Sequence, residues 1–253
     1  MTGVYGLDRI IFAARRLKRA LASRRLTARA DGNPVIEAQS AAWPGRRRLK
    51  GPWSSERFVI FDTETTGLDP GEDHAVSLGA VSMTGGRIAL GDTFDRIIAT
   101  EIHPSRDSIV VHGLTPGKIA NGHQPQDVLS DFLLWAGDAV LVAHHSAFDL
   151  TMLNRMGESL CGAPIQNLVL DTAHLARHAD RRRRGNHYDL DSLLDRYDIP
   201  RSGARHTALG DALLTARLLQ KLLKRLAARQ INTLAELALC NQAVPSGPTE
   251  HLS

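Results

Sequence analysis

The chain has 253 residues, 43% of them hydrophobic and 23% charged, which suits one sizeable core with appendages and is short for two full domains. No apolar run approaches the roughly 18 residues of a membrane span, and residues 1 to 30 lack the long apolar core of a secretory signal. The two cysteines, Cys161 and Cys240, stand far apart and match no metal spacing, so reduced thiols and a cytoplasmic setting are expected.

The net charge of +4 is unevenly spread. Residues 1 to 50 hold 12 Lys and Arg against three acids, Asp8, Asp31 and Glu37; the remaining 203 residues hold 19 basic and 24 acidic groups. A basic segment attached to an acidic domain points to an anionic partner such as nucleic acid or a membrane surface. Leu7, Ile10, Ile11, Ala14, Leu17 and Leu21 recur at helical spacing and predict a basic amphipathic helix over 7–28. That helix reads either as a docking helix with a solvated basic face or as a nucleic-acid, membrane or protein contact. Residues 29–55 lose periodicity, gather Gly, Pro and Ser, and read as a linker. Residues 1–55 are therefore expected to form an extension ahead of a domain over 56–229.

Within that domain, apolar runs predict strands over 57–63, 75–83 and 87–98, with Gly85-Gly86 as the hairpin turn between the last two. A helix over 125–136 precedes a short apolar strand, 139–143, and a second helix over 147–157. A fifth strand near 168–170 runs into a helix over 172–178, and helices over 189–197 and 206–228 follow. Three hairpin-linked strands followed by alternating strands and helices imply an α/β fold, a mixed sheet flanked by helices. Residues 230–253 are expected to give a short helix, opened by Thr233 and Glu236 at capping-box spacing, and a flexible tail from Val244.

The first strand carries the chemistry. FVIFDTETTGLDP, residues 58–70, ends an apolar run in Asp62 and Glu64. At i and i+2 on a strand the two carboxylates point the same way. Two acids this close repel each other unless a cation lies between them, and a hard cation such as Mg²⁺ takes oxygen ligands of this kind. Strand ends also carry solvent-facing acids, so the pair alone decides nothing. Asp149 opens the helix after AHHSA, and Asp211 is the one acid within 199–235, on an otherwise apolar and basic helix. A lone acid on such a helix needs a partner, and a metal shared with Asp62 would supply one.

The order FDTETTGL, HHSAFD, HTALGD, together with Val111-His112-Gly113-Leu114-Thr115 and Leu170-Asp171-Thr172, resembles the DEDDh-type 3′→5′ exonucleases. That family includes the proofreading epsilon subunit of bacterial DNA polymerase III, ribonuclease T and oligoribonuclease. The likeness covers about residues 57–228. It implies a ribonuclease H-like fold with a five-stranded mixed sheet, and Asp62, Glu64, Asp149 and Asp211 as ligands of two Mg²⁺ or Mn²⁺ ions. It implies His206 as the general base. Thr65, Thr66, Gly67 and Leu68, with His112 beside them, would cover the terminal nucleotide. The implied reaction is two-metal hydrolysis of nucleic-acid 3′ ends to nucleoside 5′-monophosphates, with single-stranded DNA the favoured substrate and RNA the alternative.

One departure from the family pattern is His144-His145-Ser146, where many relatives carry His-Asn; both histidines read as structural, as does Asp171, a helix-capping acid. Arg181 to Arg184 read equally as a solvated loop or a guide for a phosphate backbone. An inactive nucleic-acid-binding module would lack an acid or the histidine, and all five are present. Residues 229–253 contain no aromatic residue, unlike a polymerase-tethering extension, so a relative that stands alone or has different partners is expected.

Overall fold

The computed structural model describes residues 32–43, 45–180, 187–201 and 205–241; the predicted 7–28 helix, Arg181–Arg184 and the tail from Val244 lie outside them. The sheet grows from β1 (Arg57–Thr65), whose residues Phe58, Val59, Ile60 and Phe61 are all fully buried. At roughly 2 kcal/mol for each buried large apolar side chain, this run is a rigid mount. β2 (Ala75–Thr84) and β3 (Arg87–Ile97) join it as an antiparallel meander through the Gly85-Gly86 turn, both glycines at positive φ. β4 (Val140–Ala143) and β5 (Val169–Asp171) pair in parallel on the other side, giving the order β3-β2-β1-β4-β5. This is the mixed five-stranded sheet expected from the sequence.

The helices are α1 (Pro34–Ala41), α2 (Arg46–Lys50), α3 (Arg106–His112), α4 (Pro116–Ala120) and α5 (Pro125–Ala136), then α6 (Ala147–Cys161), α7 (Thr172–Ala179) and α8 (Leu190–Arg196), and finally α9 (Ala208–Ala227) and α10 (Leu234–Cys240). Strand alternation divides them between two faces. Phe58 and Ile60 pack with Leu214, Leu218 and Leu222 of α9, whereas Val59 and Phe61 pack with Leu129 and Phe132 of α5 and Leu153 of α6. Asp62 and Glu64 therefore continue the α9 face and Thr63 the α6 face. Cys161 and Cys240 form no disulfide, and both are buried. Among the described residues no helix is long and apolar enough to cross a membrane.

Five elements differ from expectation. The stretch read as a linker contains α1, α2 and a 3₁₀ turn over Trp53–Ser55, with Val35, Ala42 and Leu49 buried. Its Gly, Pro and Asn look like breakers but include a start signal. Asn33 accepts from the backbone N–H groups of Val35 and Ile36 as N-cap, and Pro34 occupies the first turn, where its missing N–H costs nothing. Tertiary bonds then hold the segment. Gln39 donates to Asn167 (3.0 Å) and accepts from the Gln166 N–H (2.8 Å), while the Trp53 indole donates to the Ile231 carbonyl (2.8 Å). α3 and α4 were not expected at all; they are short and mostly exposed, so no apolar period marks them. The capping box of Thr233 and Glu236 does open α10.

A deletion follows from this packing. Removing residues 1–50 strips Val35, Ala42 and Leu49 from the core at a cost on the order of 4 kcal/mol, or about 10 °C in Tm. Removing only 1–31 keeps Val35, Ala42 and Leu49 in the chain and should cost less in Tm than the longer deletion. Thermal unfolding of the two truncations checks the contrast.

Candidate active site

β1 ends in a bulge: Glu64 pairs Ser77 but Thr65 pairs Ala75. Bulges bend a strand and re-aim the side chains beside them. Just before the bulge, Asp62 and Glu64 project toward α9, and with Asp211 from its first turn they bring one carboxylate oxygen each within 4.8 Å of one another. Asp211 is placed there by an absence. Gly79 pairs Asp62 in the β1–β2 ladder, and a methyl group at Gly79 would overlap the backbone of Ala208 and Leu209. Without a side chain at that position, the first turn of α9 lies directly on the sheet. Thr207 caps this turn by accepting from Gly210 N–H (3.2 Å).

Asp149 arrives from the opposite face. It sits in the first turn of α6, buried, and its Oδ1 accepts from both the Thr63 backbone N–H (3.0 Å) and the Thr63 hydroxyl (2.6 Å). Its charge acts directly on Asp62. The loop ahead of α6 is held by Asp171, which accepts from Ser146 N–H (2.9 Å) and His145 N–H (3.2 Å) and also caps α7. The structural reading of Asp171 holds, and its second role in fixing the β4–α6 loop comes from the tertiary structure. His144 bonds the Thr172 hydroxyl (2.8 Å) and is pushed down to about 4 by burial, then by the neighbouring His145. It is a neutral packing group.

The electrostatics are those of acids crowded at a partly buried strand end. Burial first, then repulsion from Asp149, Glu64 and Asp211, raises the Asp62 carboxyl well above its usual range. Burial and the charges of Asp211 and Asp149 push Glu64 up to about 7, and burial pushes Asp149 up to about 7 against the pull of its Thr63 bonds. An all-oxygen donor set whose members resist ionising beside one another fits a hard divalent cation, which would stabilise every charged form at once. These shifts set a sign. A carboxyl with a raised folded-state value favours the native chain most at acid pH, and that contribution drains as pH rises from the ordinary range toward about 7. The metal-free protein is therefore expected to lose about 5 °C in Tm between pH 5 and pH 7.5. Saturating Mg²⁺ should restore it at the upper end, as scanning fluorimetry at a series of pH values would show.

The remaining predicted residues are placed less uniformly. His206 is exposed, at φ 57°, immediately before the capping Thr207; a non-glycine residue held there is strained. Leu68 is 89% exposed, whereas Thr66 is 1% exposed and spends its hydroxyl on Asp73 (2.6 Å). The Thr66 side chain is thus structural. Thr65 donates to the Gly67 carbonyl (2.6 Å), shaping the same loop. The Thr66 carbonyl accepts from Ser105 N–H (2.8 Å) and the Ser108 hydroxyl (3.0 Å), which ties α3 to the strand end. His112 is buried at the end of α3, accepting from Leu114 N–H (3.0 Å). Burial lowers its ring below the ordinary histidine value, and the adjacent Thr65 backbone partly offsets this.

Two residues escaped sequence reasoning. Gly79 had a signal, a lone glycine inside a fully buried strand. Arg205 had none, although it forms an ion pair with Asp211 and a second with Asp191 (2.8 Å).

The exonuclease family model RNase_T matches residues 59–219, the span that contains every one of these acids. A DNA polymerase III subunit epsilon-like protein of Rhodobacter capsulatus is 40% identical over 188 residues, covering 72% of this chain and 26% of that protein. A PolC-type DNA polymerase III of Bacillus subtilis is 35% identical over 208 residues, covering 82% of this chain and 14% of that protein. This chain thus spans about a quarter or less of these curated relatives. Among solved structures, Exonuclease I of E. coli in complex with a dT13 oligonucleotide superposes with a TM-score of 0.58 at 17% identity, over 70% of this chain and 43% of that one. Exonuclease X in complex with 5′ overhanging duplex DNA gives 0.56 at 22% identity, over 73% and 98%. The two superpositions show a shared fold.

Proposed function

The chain belongs to the exonuclease family whose model spans residues 59–219, and from that premise we propose that it is a 3′→5′ exonuclease releasing nucleoside 5′-monophosphates from DNA ends. The observation that carries the reading is the meeting of Asp62, Glu64 and Asp211 within 4.8 Å at the end of a rigid strand, with Asp149 outside that group but near enough for its charge to act on Asp62. In this reading the four carboxylates hold two divalent cations, Mg²⁺ or Mn²⁺. Such a pair, when bound, stabilises both the attacking and the leaving oxygen of an in-line displacement at phosphorus.

The chain's own groups do the rest. A ring nitrogen of His206, exposed at the start of α9 and five residues before Asp211, accepts the proton of the attacking water. The exposed Leu68 side chain offers an apolar surface to the terminal base, on a loop shaped by Thr65, Gly67 and the Thr66 backbone. His112, buried against that backbone, holds α3 in place behind it. DNA is favoured because the relatives named above are DNA polymerase III proteins and the superposed nucleases were solved with DNA.

The test is incubation with 5′-labelled single-stranded DNA, duplex DNA and RNA in Mg²⁺ or Mn²⁺, with a chelator control. A ladder shortening from the 3′ end of DNA, abolished by the chelator, is expected. Cleavage of RNA alone would redirect the substrate assignment, and no metal-dependent cleavage of any of the three would overturn the reading.

A further inference from the structure

We propose that Arg205 and a divalent cation are alternative partners of the Asp211 carboxylate, with Asp191 as the arginine's second seat, so that Arg205 sets how tightly the site takes up metal. The proposal rests on the reading of Asp62, Glu64 and Asp211 as metal-holding residues.

Arg205 places Nη1 on Asp211 Oδ1, and its charge reaches Asp62 and Glu64 as well. In the metal-free chain it is a built-in counter-charge for the acid cluster. Its Nη2 meanwhile bonds Asp191 Oδ2 at 2.8 Å, in the first turn of α8. Asp191 is itself steadied by Arg201, which donates to Asp191 Oδ1 (3.0 Å) and Asp195 (2.6 Å). The Arg205 side chain is 19% exposed and that of Asp191 is 51% exposed, so the first seat is the inner one and the second lies at the rim.

A metal ion drawn to Asp211 competes with the guanidinium for the charge of that carboxylate and repels the arginine. The metal concentrates two charges on a small centre that prefers oxygen donors, whereas the guanidinium spreads one charge over a plane. Metal therefore wins at sufficient concentration, but each uptake works against the Arg205–Asp211 pair. Asp191 lowers that cost, because the displaced arginine keeps a hydrogen-bonded anion instead of being left as an unpaired, largely buried charge.

Two substitutions then act in opposite directions, which a merely structural role would not produce. Metal-stripped full-length chain is titrated with Mn²⁺ alone, and the free ion is followed by electron paramagnetic resonance. Arg205→Gln removes the competitor and should tighten Mn²⁺ binding about tenfold. Asp191→Asn removes the rim seat, commits Arg205 to Asp211, and should weaken binding severalfold. Asp191 is half-exposed, so this variant keeps the test valid even if Arg205→Gln folds poorly without metal, which circular dichroism would reveal. Unchanged or weaker binding in folded Arg205→Gln, or unchanged or tighter binding in Asp191→Asn, overturns the proposal. A parent chain that takes up no Mn²⁺ overturns the metal reading itself and the proposal with it, an outcome distinct from a parent that binds while its variants fail to diverge.

Discussion

Asp62→Asn is expected to abolish metal-dependent hydrolysis while leaving a folded chain that is more stable than the parent in the absence of metal. The two effects share a cause. The Asp62 carboxylate is opposed by its surroundings, by burial and then by Asp149, Glu64 and Asp211. Replacing it with a neutral isostere relieves that repulsion, so the metal-free Tm at pH 7.5 should rise by a few degrees. The same change removes a donor shared by the whole cluster, and the rate should fall on the order of 10³-fold or more. Comparing the initial rate on end-labelled DNA with the melting curve of the same preparation reads both. Undiminished hydrolysis would sink the assignment of this carboxylate; a lowered metal-free Tm would show that the acids are not in conflict.

Gly79→Ala should be nearly as damaging to activity although Gly79 carries no functional group. The added methyl cannot fit between β2 and the backbone of Ala208 and Leu209. The first turn of α9 must lift, carrying Asp211 and the preceding His206 away from Asp62 and Glu64. Overpacking against backbone costs about 3 kcal/mol, roughly 10 °C in Tm, and the displaced carboxylate should lower Mn²⁺ affinity at least tenfold. Gly91→Ala on the edge strand β3, where an added methyl meets nothing within 4 Å, is the control and should leave both quantities unchanged. Parent-like activity and Tm in Gly79→Ala would show that the close approach of α9 is not what positions the site.

These two substitutions mark where reading the chain succeeds and where it stops. Asp62 is legible because it breaks a local rule, a pair of acids ending a wholly apolar strand, and such breaks gather at functional sites. The strands are legible for the same local reason: Phe58 to Phe61, the long β2 run and the Val140 to Ala143 stretch are apolar, bounded by turns, and too short for buried helices. α9 shows its apolar stripe over five turns. α1, α3 and α4 show nothing comparable, because each buries at most one apolar side chain and so no stripe emerges, and their ends are set by caps such as Asn33, Ser105 and Thr115.

The sequence by itself determined the sheet and the long helices, because each is written in a local periodicity, and it singled out Asp62 and Glu64 by their spacing and Asp211 as a lone acid; His206 and the set of four acids came from the resemblance in motif order. Tertiary structure alone decided how closely those acids meet, and what meets them. Gly79 and Leu209 are far apart in the chain, as are Thr63 and Asp149, and Asp191 lies on α8 whereas Arg205 lies in the turn before α9; no local pattern links such pairs. Their contacts exist only once two faces of one sheet are covered, with α9 pressed onto a glycine on one side and α6 held to a threonine on the other. Partial burial then weakens the screening of the acids by water, and that crowding makes a row of ordinary carboxylates a candidate metal site.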